Sequence, residues 1–270
     1  MKRTSRFSIL ACGLLVYNIA VILWGAFVRA TGSGAGCGAH WPLCNGAVVP
    51  RAPQIETVIE FVHRISSGLT LPLVIVLVVW AWRIYPRRHP VRWSSALVVG
   101  FTLSEALLGA GLVLFELVAH NASAFRALAM VLHLVNTFLL LGALALTAWW
   151  ASQGAPGRFG WNGLAGWLVA TGILGMVVLG ASGAITALGD TLFPVGSLSE
   201  GIRQDFSATA HFLIRLRVFH PVIAVAVGLY LIFLANWLKE RIKDSRAGRL
   251  ASLLVGLVVA QLLLGVTNLM

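Results

Sequence analysis

The sequence predicts an all-α polytopic membrane protein built as two tandem four-helix halves related by a pseudo-twofold. Three observations predict it. The 270 residues are 59% hydrophobic and 11% charged, whereas a soluble domain carries roughly a quarter charged residues. Apolar runs close to the ~20 residues that cross a bilayer recur along the whole chain. Apolar residues run on within them instead of alternating, unlike the strands of an outer-membrane barrel.

Seven spans are expected, at 8–29, 57–82, 94–118, 127–150, 162–187, 208–238 and 250–270. The first starts basic, but its apolar core from Phe7 to Val28 is too long for a signal peptide and is read as a retained span. The loops Ala30 to Glu56 and Leu188 to Ser207 are long and are expected to cap the outer face.

A net charge of +11 raises nucleic acid as a partner, but the placement of the charges assigns it to topology. Lys2, Arg3 and Arg6 precede the first span, and Arg83, Arg87, Arg88 and Arg92 follow the second. Lys239, Arg241, Lys243, Arg246 and Arg249 separate the sixth from the seventh. These segments share one side if every run crosses, and Lys/Arg-rich loops are cytoplasmic. The expectation is a cell-membrane protein with a cytoplasmic N-terminus, the lipid bilayer as surroundings and no nucleic-acid partner. The loop at 151–161, on the same side, adds only Arg158.

An internal repeat supports the two halves, 1–150 and 151–270. Gly25-Ala26, Thr31 and Gly34 reappear as Gly180-Ala181, Thr186 and Gly189. His63 answers to His220, and Ser104 to Gly109 is echoed by Ala260 to Gly265. Parallel repeats of this kind mark duplicated membrane folds. The second half stops after its third span, so an eighth is expected to be missing and this form to be a truncated, incompletely competent one.

Glu60-Phe61-Val62-His63-Arg64 puts a carboxylate, an imidazole and a guanidinium inside the second span. Charge at membrane depth costs several kcal/mol unless paired, which makes the segment a functional-site hypothesis. Residues three apart share a helix face, so Glu60 and His63 can address one ligand.

Depth sorts the seven histidines. His89 and His120 fall in loops and read as solvated; His40 lies between two loop cysteines and reads as surface; His211 opens the sixth span. His63 stands 20 residues before Arg83, His133 17 before Trp150 and His220 19 before Lys239. All three therefore sit roughly 25–30 Å above the cytoplasmic face, toward the outer leaflet. Paired imidazoles on facing bundle helices hold cofactors in helical cores, so His63 with His133 can ligate a heme iron from two sides. The plainer reading is a hydrogen bond from each to a neighbouring helix. His220 is left without a partner, which the repeat places roughly at position 289.

Arg64, Arg215 and Arg217 flank these histidines. They either snorkel to the interface or bind heme propionates, for which guanidinium suits bidentate carboxylate contact; a Glu60–Arg217 ion pair is a third option. Cys37 and Cys44 lie in the first outer loop, where a disulfide is favoured, though their spacing does not fix connectivity and metal binding is the alternative. Cys12 is expected to pack within the first span.

The loop Thr31-Gly-Ser-Gly-Ala-Gly-Cys37-Gly-Ala-His40-Trp41-Pro42-Leu43-Cys44-Asn45-Gly46, the Glu60-Phe-Val-His63-Arg64 segment and the tandem halves resemble the heme A synthase family across essentially the whole chain. The resemblance implies an eight-helix enzyme that oxidises a methyl of heme O to a formyl, giving heme A for cytochrome oxidase. It implies His63 and His133 as substrate-heme ligands, His220 as a ligand of a heme B cofactor, and Glu60 as a carboxylate required for activity. It also implies a Cys37–Cys44 disulfide, heme O as substrate and a heme O synthase as a neighbouring partner. The chain departs from the family pattern in its missing eighth helix and in lacking a second cysteine pair.

A diheme b-type electron carrier and a heme carrier or assembly factor use the same histidines. A pure electron carrier gives no reason for Glu60 beside a ligand, which favours the enzyme. The oxygen donor, the electron partner and any homo-oligomer are not legible in the sequence.

Overall fold

A computed structural model describes residues 5–154, 163–242 and 244–269. Lys2, Arg3, Arg158 and Lys243, used above for topology, lie outside the described residues. The chain divides into two compact units, Met1–Gly157 and Arg158–Met270. Among the described residues seven helices are long and apolar enough to cross a membrane, and the protein is a polytopic all-α membrane protein.

The first unit is a four-helix bundle of α1 (Arg6–Ala30), α2 (Ile55–Ile84), α3 (Pro90–Leu114) and α4 (Ala124–Gln153). Side chains start three of these helices: Ser5 accepts the Ser8 N–H, His89 Nδ1 that of Val91, and Ser123 that of Arg126. Each satisfies an amide that a helix start leaves unpaired. α1 packs on α2 and α4, and α3 does the same, so α2 and α4 are diagonal.

Close packing is concentrated at one end. Phe7, Ala11 and Leu14 meet Val74, Leu77 and Ala81, Val91 and Val98, and Leu140, Ala143, Leu144 and Ala148 there. Lipid is as apolar as leucine, so fit and interhelical hydrogen bonds hold such helices together. The Thr147 and Ser94 hydroxyls pair at 2.8 Å between α3 and α4. At the opposite end, the Trp24 indole N–H reaches the Ile59 carbonyl at 3.0 Å. That end also carries the Glu60-Phe61-Val62-His63-Arg64 segment.

Residues 31–54 cap it, beginning with a single 3-10 turn at Ser33–Ala35. A Cβ on Gly36 would lie 2.4 Å from the Glu56 carbonyl oxygen, so only glycine lets the loop touch the start of α2. The Thr57 hydroxyl then donates to the Gly36 carbonyl at 2.7 Å.

Two expected spans are corrected. The third runs Pro90–Leu114 instead of 94–118, because His89 caps it and Pro90, which lacks an N–H, suits a first turn. The sixth is broken into α7 (Phe212–Arg217) and α8 (Phe219–Arg241). Pro221 cannot donate back to Arg217, which frees that turn. The loop expected at 188–207 is partly helical, since α5 (Leu164–Leu192) extends into it and α6 (Leu198–Asp205) follows.

In the second unit α5 packs on α7 and α8, and α9 (Ser245–Leu269) packs on α8. Gly172 admits Leu231 and Leu234 of α8, and Gly228 admits Val258 and Leu262 of α9. The Tyr230 hydroxyl donates to the Leu168 carbonyl at 2.8 Å.

Candidate heme site

His63 on α2 and His133 on α4 stand on diagonal helices and lie within electrostatic range of each other. Each is packed against a glycine of a neighbouring helix. A Cβ on Gly25 of α1 would meet His63 Cε1 at 2.9 Å, and one on Gly109 of α3 would meet His133 Cε1 at 3.9 Å. The Nδ1 atoms of both imidazoles are buried without a hydrogen-bond partner. Two diagonal rings with unspent nitrogens are a donor set suited to an iron whose other four positions a porphyrin fills.

A carboxylate also reaches His133. Glu105 Oε1 lies 3.3 Å from His133 Nδ1, an ion-pair separation not aligned as a hydrogen bond. The Thr137 hydroxyl donates to Oε1 at 2.6 Å, and the Asn136 amide donates to Oε2. Asn136 is held in turn by the Phe101 carbonyl and the Ser104 hydroxyl. Glu105 lies within the repeated Ser104–Gly109 stretch. An acid inside an apolar run was the available signal.

Glu60 is buried, 4% exposed, and fully engaged. Its Oε2 accepts the Cys37 amide N–H at 2.8 Å, and Oε1 accepts Arg64 Nε and Nη2 at 3.0 and 2.6 Å. Arg64 Nη1 donates to the His40 and Leu43 carbonyls. The pair therefore rivets α2 to the cap. Cys37 and Cys44, both buried, are joined by a disulfide.

In the second unit, His220 on α8 rests on Gly183 of α5, where a Cβ would lie 3.1 Å from Cε1. Glycine on the first helix and histidine on the second thus recur from Gly25 and His63. The residue before the seating glycine is Trp24 in the first unit and Ser182 in the second. The Ser182 hydroxyl pairs with His220 Nδ1 at 2.9 Å, a bond His63 lacks. Fixing Nδ1 leaves Nε2 as the nitrogen with which His220 would hold a metal such as a heme iron.

Arg217, for which an ion pair with Glu60 was one option, finds its acids within its own unit. It is buried against Asp190 and Asp205 of its own unit and also reaches Gln204 and the Gly201 carbonyl. Acids close by in the fold satisfy it, and neither was singled out from sequence. Arg215 is exposed. His40 and His120 are exposed as expected, whereas His89 is half-buried, stacked on Tyr85. His211 caps α7 and leans on Phe193. Cys12 is exposed on α1 instead of packed inside.

Residues 8–270 match the sequence profile of the COX15-CtaA family, described as cytochrome oxidase assembly protein. The chain belongs to the heme A synthase family. A Thermus thermophilus protein named protoheme IX farnesyltransferase is 52% identical over 265 residues, which is 98% of this chain and 43% of that protein. The heme A synthase of Alkalihalophilus pseudofirmus is 44% identical over 115 residues, 42% of this chain and 37% of its own. That of Halalkalibacterium halodurans is 48% identical over 97 residues, 36% and 33%. The chain spans less than half the length of these relatives.

Proposed function

We propose that the protein is a heme A synthase, an oxidoreductase that converts a methyl group of heme O to a formyl group through a hydroxymethyl stage. The observation that carries the reading is the His63–His133 pair on diagonal helices, each ring seated on a glycine and His133 backed at Nδ1 by the Glu105 carboxylate. In this reading the first unit holds substrate heme O by its iron between His63 and His133. His220 holds one face of a heme B cofactor, which when bound supplies one-electron redox chemistry. The sites lie toward the outer leaflet of the cell membrane, with the N-terminus cytoplasmic.

This chain's residues then bind, orient and shield. Gly25 and Gly109 leave the imidazoles room to turn toward the iron. Glu105 holds the Nδ1 side of His133, and the disulfide-bearing cap excludes water from the looser end. Glu60, one turn before His63, is assigned the stabilisation of positive charge developing on the substrate, and its bond to Cys37 couples that charge to the cap. A heme O synthase partner is supported by the Thermus relatives, in which a region like this chain belongs to a protein named for protoheme farnesylation.

A diheme electron carrier is the second reading. The observation favouring it is that Glu60 has a structural occupation in the cap, so its presence beside His63 no longer argues for an enzyme by itself. Hemes extracted from membranes that co-express a heme O source separate the two. Heme A is expected; recovery of hemes B and O alone would sink the synthase reading.

A further inference from the structure

We infer that Arg126, with Arg29 beside it, forms an anion site for the carboxylate side chains of a porphyrin held between His63 and His133; the inference rests on the heme reading above. Arg126 is 5% exposed. Its Nη1 donates to the carbonyls of Ala119 and Asn121 at 2.6 and 2.8 Å, while its Nε is buried without a hydrogen-bond partner. Among the described residues no carboxylate is ion-paired with it. Glu116, the acid of the adjoining loop, lines a cleft with Val118, Ala119 and Asn121 instead. The charge that acts on Arg126 is a second cation, Arg29. A buried guanidinium whose Nε has no partner is costly until an anion joins it.

Register puts this pair where a porphyrin's acids belong. Arg126 precedes His133 by seven residues on α4, two turns along the same face and roughly 10 Å nearer the cap. Arg29 follows Gly25, the seat of the His63 ring, by one turn of α1, and α1 and α4 are neighbours. A macrocycle ligated from diagonal helices stands across the line joining its two imidazoles, so its edges point along the bundle. The apolar edge suits the packed end and the carboxylate edge the capped end. The planar guanidinium fork of Arg126 favours contact with a carboxylate. The start of α4 adds a favourable dipole. Arg64, the candidate from sequence, spends its donors on Glu60 and the cap.

The test titrates hemin and hemin dimethyl ester into the detergent-solubilised full chain, in a His220→Ala background that leaves the first-unit pair. The chain is expected to bind the free acid at least about tenfold more tightly than the diester. Arg126→Gln should abolish that preference while leaving diester affinity within about twofold, and Arg126→Lys should keep part of it. Equal affinity for acid and diester overturns the inference, as does an equal loss of both in Arg126→Gln, which would make Arg126 a loop clamp. Should Arg126→Gln not fold, the acid-to-diester ratio of the unsubstituted chain and of Arg126→Lys decides alone. A low-spin bis-imidazole spectrum without acid preference sinks the anion site and spares the heme reading. Absence of that spectrum with either compound sinks both.

Discussion

Glu60 Oε2 accepts the backbone N–H of Cys37 across 2.8 Å, 23 residues back in the chain. With Arg64 on its other oxygen, Glu60 thereby joins a transmembrane helix to the disulfide cap. Replacing it with alanine strands the partly buried Arg64 guanidinium and the buried Cys37 amide together, at about 3 kcal/mol. Glu60→Ala is expected to lower the thermal midpoint of unfolding and to open the Cys37–Cys44 bond to mild reduction. Glu60→Gln, which can still accept from Cys37, should lose less. A bond in Glu60→Ala as resistant as in the parent chain would remove the cap role.

Gly25 and Gly183 set the floor beneath two histidines. A methyl added at either would press on an imidazole at 2.9 or 3.1 Å, closer than side chains normally approach. Gly25→Ala should displace His63 and lower heme recovered per chain by pyridine hemochrome assay, and Gly183→Ala should do the same through His220. Gly109→Ala, with 3.9 Å to spare, is the control expected to retain heme.

Glu105 acts on His133 through position. Carboxylates behind metal-bound imidazoles fix ring orientation, and their loss typically costs 10–100-fold in metal affinity. Glu105→Leu should lower heme affinity by that order and shift the heme midpoint potential. Glu105→Gln, which still accepts hydrogen bonds, should restore much of the affinity. Unchanged affinity and potential in Glu105→Leu would leave Glu105 as a tie between α3 and α4 alone.

At the opposite end, burial pushes the His89 imidazole below its ordinary value of 6.5, and its Nδ1 accepts the Val91 N–H as the cap of α3. A lowered folded value means the unfolded chain binds the proton more readily. The stabilisation is therefore complete above the ordinary value and fades as pH falls below it. The protection factors of the Val91 and Arg92 amides, corrected for intrinsic exchange, should fall from pH 8 to pH 5, and His89→Asn should remove the fall. A flat ratio between the two chains would exclude the capping switch.

Hydropathy, histidine spacing and the repeat determined much of this protein from its sequence. Seven apolar helices and the recurrence of His63 as His220 need only period and depth, because a bilayer forces helices and fixes their length. Tertiary structure decided what the charges do. Local spacing could not tell whether Arg217 would meet Glu60 or the nearby Asp190 and Asp205, nor that Glu60 would be claimed by a backbone amide in a loop. Glu105 and Arg126 gained meaning only from neighbours on other helices, His133 for one and Arg29 for the other. Burial energies of polar groups depend on partners that chain order does not reveal; packing alone supplies them.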